Sequence, residues 1–137
     1  MRISSRCEYG LRAMIYLAGT AGDDPVPLAE IARREDMPIA FLERIAARLR
    51  DGGLIASTRG ASGGYRLSRP ARSISVADIV TAIEGPLSLV GCLPDDAGCA
   101  RAGNCASQRV WRRLDDAISG ALADISLDEL CAEAITT

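Results

Sequence analysis

Residues 39–67 read IAFLERIAARLRDGGLIASTRGASGGYRL, and the order of patterns in this stretch decides the fold. Leu42, Ile45, Ala46 and Leu49 recur at steps of three and four, so they line one face of a helix from about Ile39 to Asp51 that Gly52 and Gly53 stop. The other side keeps Ala40, Glu43, Arg44, Ala47, Arg48 and Arg50, a surface of small side chains, arginines and one carboxylate that suits a major groove. The period then changes from helical to strand-like. Leu54 to Thr58 and Tyr65 to Leu67 enclose Arg59, Gly60, Ala61, Ser62, Gly63 and Gly64, the pattern of a hairpin with an arginine at the rim of a glycine-rich tip. Glycines there let the backbone approach phosphates, and Arg59 suits the negative potential of a narrow minor groove.

Upstream, Leu28, Ile31 and Ala32 share one helical face with Arg33 and Arg34 opposite, and the pattern ends near Asp36 to Pro38. Two short helices so close together predict a helix-turn-helix, which the hairpin completes as a winged helix. An earlier helix spans Glu8 to Ala18, where Leu11, Met14, Ile15 and Ala18 recur at steps of three and four, and Gly19 to Pro27 is a loop. Downstream, Ser75 caps a helix to Glu84 with Val76, Ile79, Val80 and Ile83 inward, ended by Gly85 and Pro86. Val110, Trp111, Leu114, Ala117, Ile118, Ala121, Leu122 and Ile125 then mark a helix with more apolar surface than one small domain needs to bury, which predicts dimerisation. The expected fold is mainly α with a small β-wing: a winged helix-turn-helix domain over residues 1–85, a cysteine-rich loop over 86–106, and a long dimerisation helix with a C-terminal tail over 107–137.

The chain has 137 residues, enough for one domain with a real core, and one Phe and one Trp leave that core to Leu, Ile, Val and Ala. Its net charge of −2 averages two unlike halves, for residues 1–72 hold 12 arginines against 8 acidic residues and residues 73–137 hold 4 against 10. A basic first half points to a polyanion partner. No apolar run approaches the roughly 20 residues of a membrane span, and Met1, Arg2, Ile3 and Ser4 do not open a signal peptide. A cytoplasmic protein without membrane attachment is expected. Five cysteines, an odd number, then favour metal or redox chemistry over a disulfide framework.

Cys92, Cys99 and Cys105 stand six and then five residues apart, among Pro94, Gly98, Gly103 and Asn104. An irregular segment of this kind lets three thiolates converge on one centre, as an iron-sulfur cluster needs. Zinc prefers ligand pairs two to four residues apart and often histidine, and the chain has no histidine. That absence also removes Cys-His and Ser-His catalytic pairs, so an enzyme is not expected. An electron carrier would leave the basic half and the wing unexplained. Cys131, in an apolar stretch, is assigned to packing.

Together, Met1 to Ser4 with Tyr9, Gly10, Leu11 and Arg12, the Ile39–Leu49 helix, the Arg59–Leu67 wing and the cysteine triplet resemble the Rrf-two family of winged-helix iron-sulfur transcription regulators, with IscR-like, NsrR-like and RirA-like members. The resemblance implies a homodimer with crossed long helices, two winged helices on a pseudo-palindromic stretch of double-stranded DNA, and a cluster near the dimer interface. It places Glu43 where members read bases, a carboxylate suited to cytosine N4, and Arg59 at the wing position that enters the minor groove. The DNA-contact set so expected is Arg2, Ala40, Glu43, Arg44, Arg48, Arg59, Gly60, Ser62 and Gly63. IscR-like members place a histidine three residues after the third cysteine, where this chain has Gln108; NsrR-like members use a carboxylate from the other subunit, and Glu8 falls there. Glu8 is therefore the preferred fourth ligand, with Gln108 and Cys7 as alternatives. The same resemblance favours a 4Fe-4S cluster and leaves 2Fe-2S open. The expected function is a regulator, acting as a repressor, whose operator affinity follows a cluster that senses nitric oxide, redox state or iron. The alternative is a winged-helix regulator that senses through metal-free thiols or a small molecule.

Overall fold

Ser4 begins the fold: its hydroxyl accepts a hydrogen bond from the Cys7 backbone N–H at 3.2 Å, satisfying one of the donors left open at a helix start. The computed structural model describes residues 3–20, 24–61, 63–89 and 105–136. Within it α1 spans Ser5–Gly19, α2 Leu28–Arg34, α3 Ile39–Asp51, β1 Ile55–Thr58, β2 Gly64–Leu67, a 3-10 turn Ala71–Ser73, α4 Val76–Glu84, α5 Ala106–Ala123 and α6 Leu127–Thr136. The expected bounds of α3 match the observed ones, and Leu42, Ile45, Ala46 and Leu49 are its buried residues. β1 and β2 pair antiparallel with Ile55 opposite Leu67 and Thr58 opposite Gly64. Tyr65 also exchanges two backbone hydrogen bonds of 2.8 Å with Val26, which ties the base of the hairpin to the segment ahead of α2.

α4 opens with a capping box, for Ser75 Oγ accepts from the Asp78 N–H and the Asp78 carboxylate accepts from the Ser75 N–H. It stops at Gly85, whose φ of 86° lies in the region glycine adopts most readily.

α1 buries more than the stripe of Leu11, Met14, Ile15 and Ala18. Leu11, Ile15 and Ala18 are half-buried, while Cys7, Gly10, Ala13, Met14 and Leu17 are its buried residues. The reason is that α1 is enclosed from several sides, by α3 and α4 and also by α6. A single helical stripe chosen from apolar spacing alone finds only part of such a surface.

The C-terminal part differs from the sequence reading. The apolar stripe predicts one helix through Ile125, yet α5 ends at Ala123 and the chain turns back. The Val76 N–H donates to Ile125 O at 2.9 Å, the Leu127 N–H donates to Ile74 O at 2.8 Å, and Leu127 is fully buried. What reads as a tail is therefore α6, packed on α1 and the 3-10 turn. The overlooked signal is Ser126 with Glu129 three residues on, a helix-start pattern, and Ser126 Oγ accepts from the Glu129 N–H at 3.2 Å.

Candidate nucleic-acid interface and thiol site

α3 is held from two directions. On the α1 side, the Tyr9 and Phe41 rings meet edge to face at 5.5 Å, and the Arg12 guanidinium lies 5.7 Å over the Tyr9 ring. Arg12 also donates to the Glu35 carboxylate at 3.1 Å and to the Glu35 carbonyl at 2.7 Å. These contacts clamp the turn between α2 and α3, where Asp36 adopts a positive φ of 52° and the Met37 N–H donates to Ala32 O at 2.8 Å. Thus held, α3 leaves Ala40, Glu43 and Arg44 exposed, a continuous outer surface of the expected composition.

Arg48, of the same expected set, is exposed as well, and its Nη1 donates to the Ile83 carbonyl of α4 at 2.9 Å. In the wing, Arg59 and Gly60 are exposed and Gly60 has a φ of 116°. The Gly63 N–H closes the tip by donating to Gly60 O at 3.0 Å, and a side chain at Gly63 would overlap the Thr58 carbonyl. Arg2 and Ser62, also in the expected contact set, lie outside the described residues.

Arg59→Ala is expected to weaken operator binding about tenfold and to lower the slope of log affinity against log salt by about one per subunit, with the fold intact. Titrations at several salt concentrations check this; an unchanged slope would mean that Arg59 neutralises no phosphate.

Of the cysteine triplet, Cys105 is described and Cys92 and Cys99 are not. Cys105 occupies the N-cap of α5, with its Sγ 3.0 Å from Ser107 Oγ. Among the described residues no group of three or more cysteine and carboxylate side chains is placed to hold a metal ion. Of the candidate fourth ligands, Glu8 is exposed in the first turn of α1. Gln108, one turn after Cys105, is buried. Cys7 belongs to the core, and burial, the largest influence on it, pushes its thiol pKa up. Close by, Glu84 accepts from the Ser4 hydroxyl and pairs with Arg6 at 3.1 Å. Chiefly the Ser4 hydrogen bond, with help from Arg6, holds its carboxyl below the usual range.

α5 presents three faces. Gln108 and the half-buried Asp115, Ser119 and Leu122 turn to the body of the protein, where Asp115 accepts from the Leu89 N–H at 3.3 Å. Arg109, Arg112, Arg113 and Asp116 form an exposed charged face, and Val110, Leu114, Ala117 and Ala121 form an exposed apolar one. Among the described residues no helix is long and apolar enough to cross a membrane.

A family described as Rrf2, iron-dependent transcriptional regulators, matches residues 3–133. The chain belongs to the Rrf2 family. It is similar to the HTH-type transcriptional regulator IscR of Photorhabdus laumondii, 38% identical over 130 residues that cover 95% of this chain and 79% of the relative. The same values hold for IscR of Yersinia pestis. Among solved structures, CymR, the global cysteine regulator of B. subtilis, superposes with a TM-score of 0.78 at 34% identity, covering 97% of this chain and 98% of CymR. T. potens IscR gives 0.78 at 34% identity, covering 98% of this chain and 88% of that one. This Rrf2 chain is a DNA-binding transcription regulator with a winged-helix fold, and its relatives are regulators rather than enzymes.

Proposed function

We propose that this Rrf2 regulator acts in the cytoplasm as a homodimer on a pseudo-palindromic operator, and that an iron-sulfur cluster on Cys92, Cys99 and Cys105 sets its affinity. The observation that carries the reading is α5, which joins a thiol at its first turn to an exposed apolar seam along its length. Val110, Leu114, Ala117 and Ala121 follow one another at steps of four, three and four, the spacing of a two-helix seam. Their sizes favour an antiparallel partner, in which Val110 and Leu114 of one copy oppose Ala121 and Ala117 of the other. The same orientation sets Arg109, Arg112 and Arg113 toward the end that carries Asp124 and Asp128. A parallel pair would oppose like sizes and like charges.

The donor set fits the cluster: three soft thiolates without histidine suit iron and sulfide, and Cys105 stands at the start of α5. When bound, such a cluster supplies a centre that nitric oxide, oxygen or iron depletion can alter. Glu8 of the partner subunit is the preferred fourth ligand, since its side chain is exposed whereas Gln108 and Cys7 are buried within their own subunit. A carboxylate is harder than a thiolate and leaves one corner more open to attack. The 4Fe-4S form is preferred over 2Fe-2S.

A second reading, sensing by metal-free thiols or a small molecule, is supported by the likeness to CymR, whose oxidised S. aureus form superposes with a TM-score of 0.74 at 35% identity. Anaerobic purification of the wild type and Cys99→Ala, with a visible spectrum and iron and acid-labile sulfide counts, separates the two. The expected result is a brown protein with about four sulfides per subunit, lost in Cys99→Ala. A colourless wild type, even after reconstitution, would leave the thiol reading.

A further inference from the structure

We infer that Arg48 is a positioning residue that fixes the recognition helix α3 to the end of α4, and that it makes no contact with DNA. The inference rests on the family's DNA-binding activity and on nothing about the cluster.

α4 needs what Arg48 supplies. The last carbonyls of a helix have no partner within it, and its C-terminal end favours positive charge. In α4 the Gly85 N–H caps Thr81 O at 2.9 Å, but the last turn has no basic residue of its own. Arg48 reaches across from α3 and donates to Ile83 O at 2.9 Å, bringing both a donor and a charge. Seven residues from Phe41, it lies on the same side of α3, and Phe41 is the residue that meets Tyr9 of α1. Arg48 is exposed, as are Ala40, Glu43 and Arg44, and lies one turn beyond Arg44, but its guanidinium is engaged by the end of α4.

A second contact marks the same joint. A Cβ at Gly52, the C-cap of α3, would stand 2.8 Å from Ala82 Cβ, closer than two carbons can approach. Gly52 has a φ of −77°, which any residue adopts, so it is glycine because α4 is close. Recognition demands that α3 present its side chains at fixed positions and angles. A helix tied at its start by Phe41 and near its end by Arg48 and Gly52 meets that demand.

The test compares Arg48→Ala, Arg48→Lys and Gly52→Ala in the full-length protein, with two probes: a duplex selected by the wild type from a random-sequence pool, and an unselected duplex of equal length. A positioning role predicts that Arg48→Ala weakens binding to the selected duplex by about 2- to 30-fold, with binding to the unselected duplex and the salt slope unchanged. Arg48→Lys should restore part of the loss, since one ammonium donor can reach the same carbonyl. Gly52→Ala should reproduce the loss with every arginine in place, by forcing the two helix ends apart. Retained binding to the unselected duplex shows that each variant is folded, and if Arg48→Ala fails this control the other two decide. A salt slope lowered by about one per subunit in Arg48→Ala, with Gly52→Ala like the wild type, would make Arg48 a phosphate contact. Full affinity of Arg48→Ala for the selected duplex would remove the positioning role.

Discussion

Leu114→Glu is expected to turn the proposed dimer into monomers and to lower operator affinity by roughly 10²- to 10⁴-fold, the gain that linking two binding modules provides. Leu114 is 41% exposed in the single chain and Val110 is 58% exposed, so neither contributes much to the core of one subunit. In the proposed antiparallel seam Leu114 would lie near the two-fold axis against Ala117 of the partner subunit, and the pair would occur twice. A carboxylate there would be buried without a cation, at a cost of several kcal/mol per subunit. Because the substitution leaves the single subunit's core untouched, circular dichroism should be unchanged. Mass from light scattering and a mobility-shift titration read the outcome. A Leu114→Glu protein that stays dimeric would place the interface on another face.

The second large effect is on stability. Gly64→Ala is expected to cost about 2–4 kcal/mol and to lower Tm by about 10 °C. A Cβ at Gly64 would overlap the Val26 carbonyl and stand 2.7 Å from Pro27 N. Both are backbone atoms, and the paired Tyr65 and Val26 hydrogen bonds of 2.8 Å hold them in place. Relief therefore means separating the wing from the segment that leads into α2. Gly120, in α5, is the matched control, because a Cβ there would meet nothing within 4 Å. Gly120→Ala should add about 0.4–1 kcal/mol by restricting the unfolded chain. Thermal melts of the two variants compare them directly, and a Gly64→Ala melt equal to the wild type would show that the hairpin base yields to a methyl group.

Much of this was legible in the sequence. The bounds and buried face of α3 follow from local periodicity together with two glycines, and the cap of α4 from Ser75. Hydrogen bonds and side-chain spacing within one turn are short-range, so neighbouring residues suffice to specify them. The glycine-rich hairpin is legible for the same reason.

The rest depended on which element arrives beside which. Arg48 has the spacing of an outward residue, and only the approach of α4 turns it toward Ile83 O. Gly10 reads as an ordinary helix interior position until Ile83 is found where its side chain would be. α1 has one apolar stripe by periodicity but is covered on more than one side, because α6 returns to it. Gln108 is polar by composition and buried by the position of α5. The sequence by itself determined α3, α4 and the hairpin, the thiols and the charge division, since these are properties of neighbouring residues. Tertiary structure alone decided the facing of residues on helix borders and the placement of α6, because burial and hydrogen-bond partners there are supplied by residues distant in the chain.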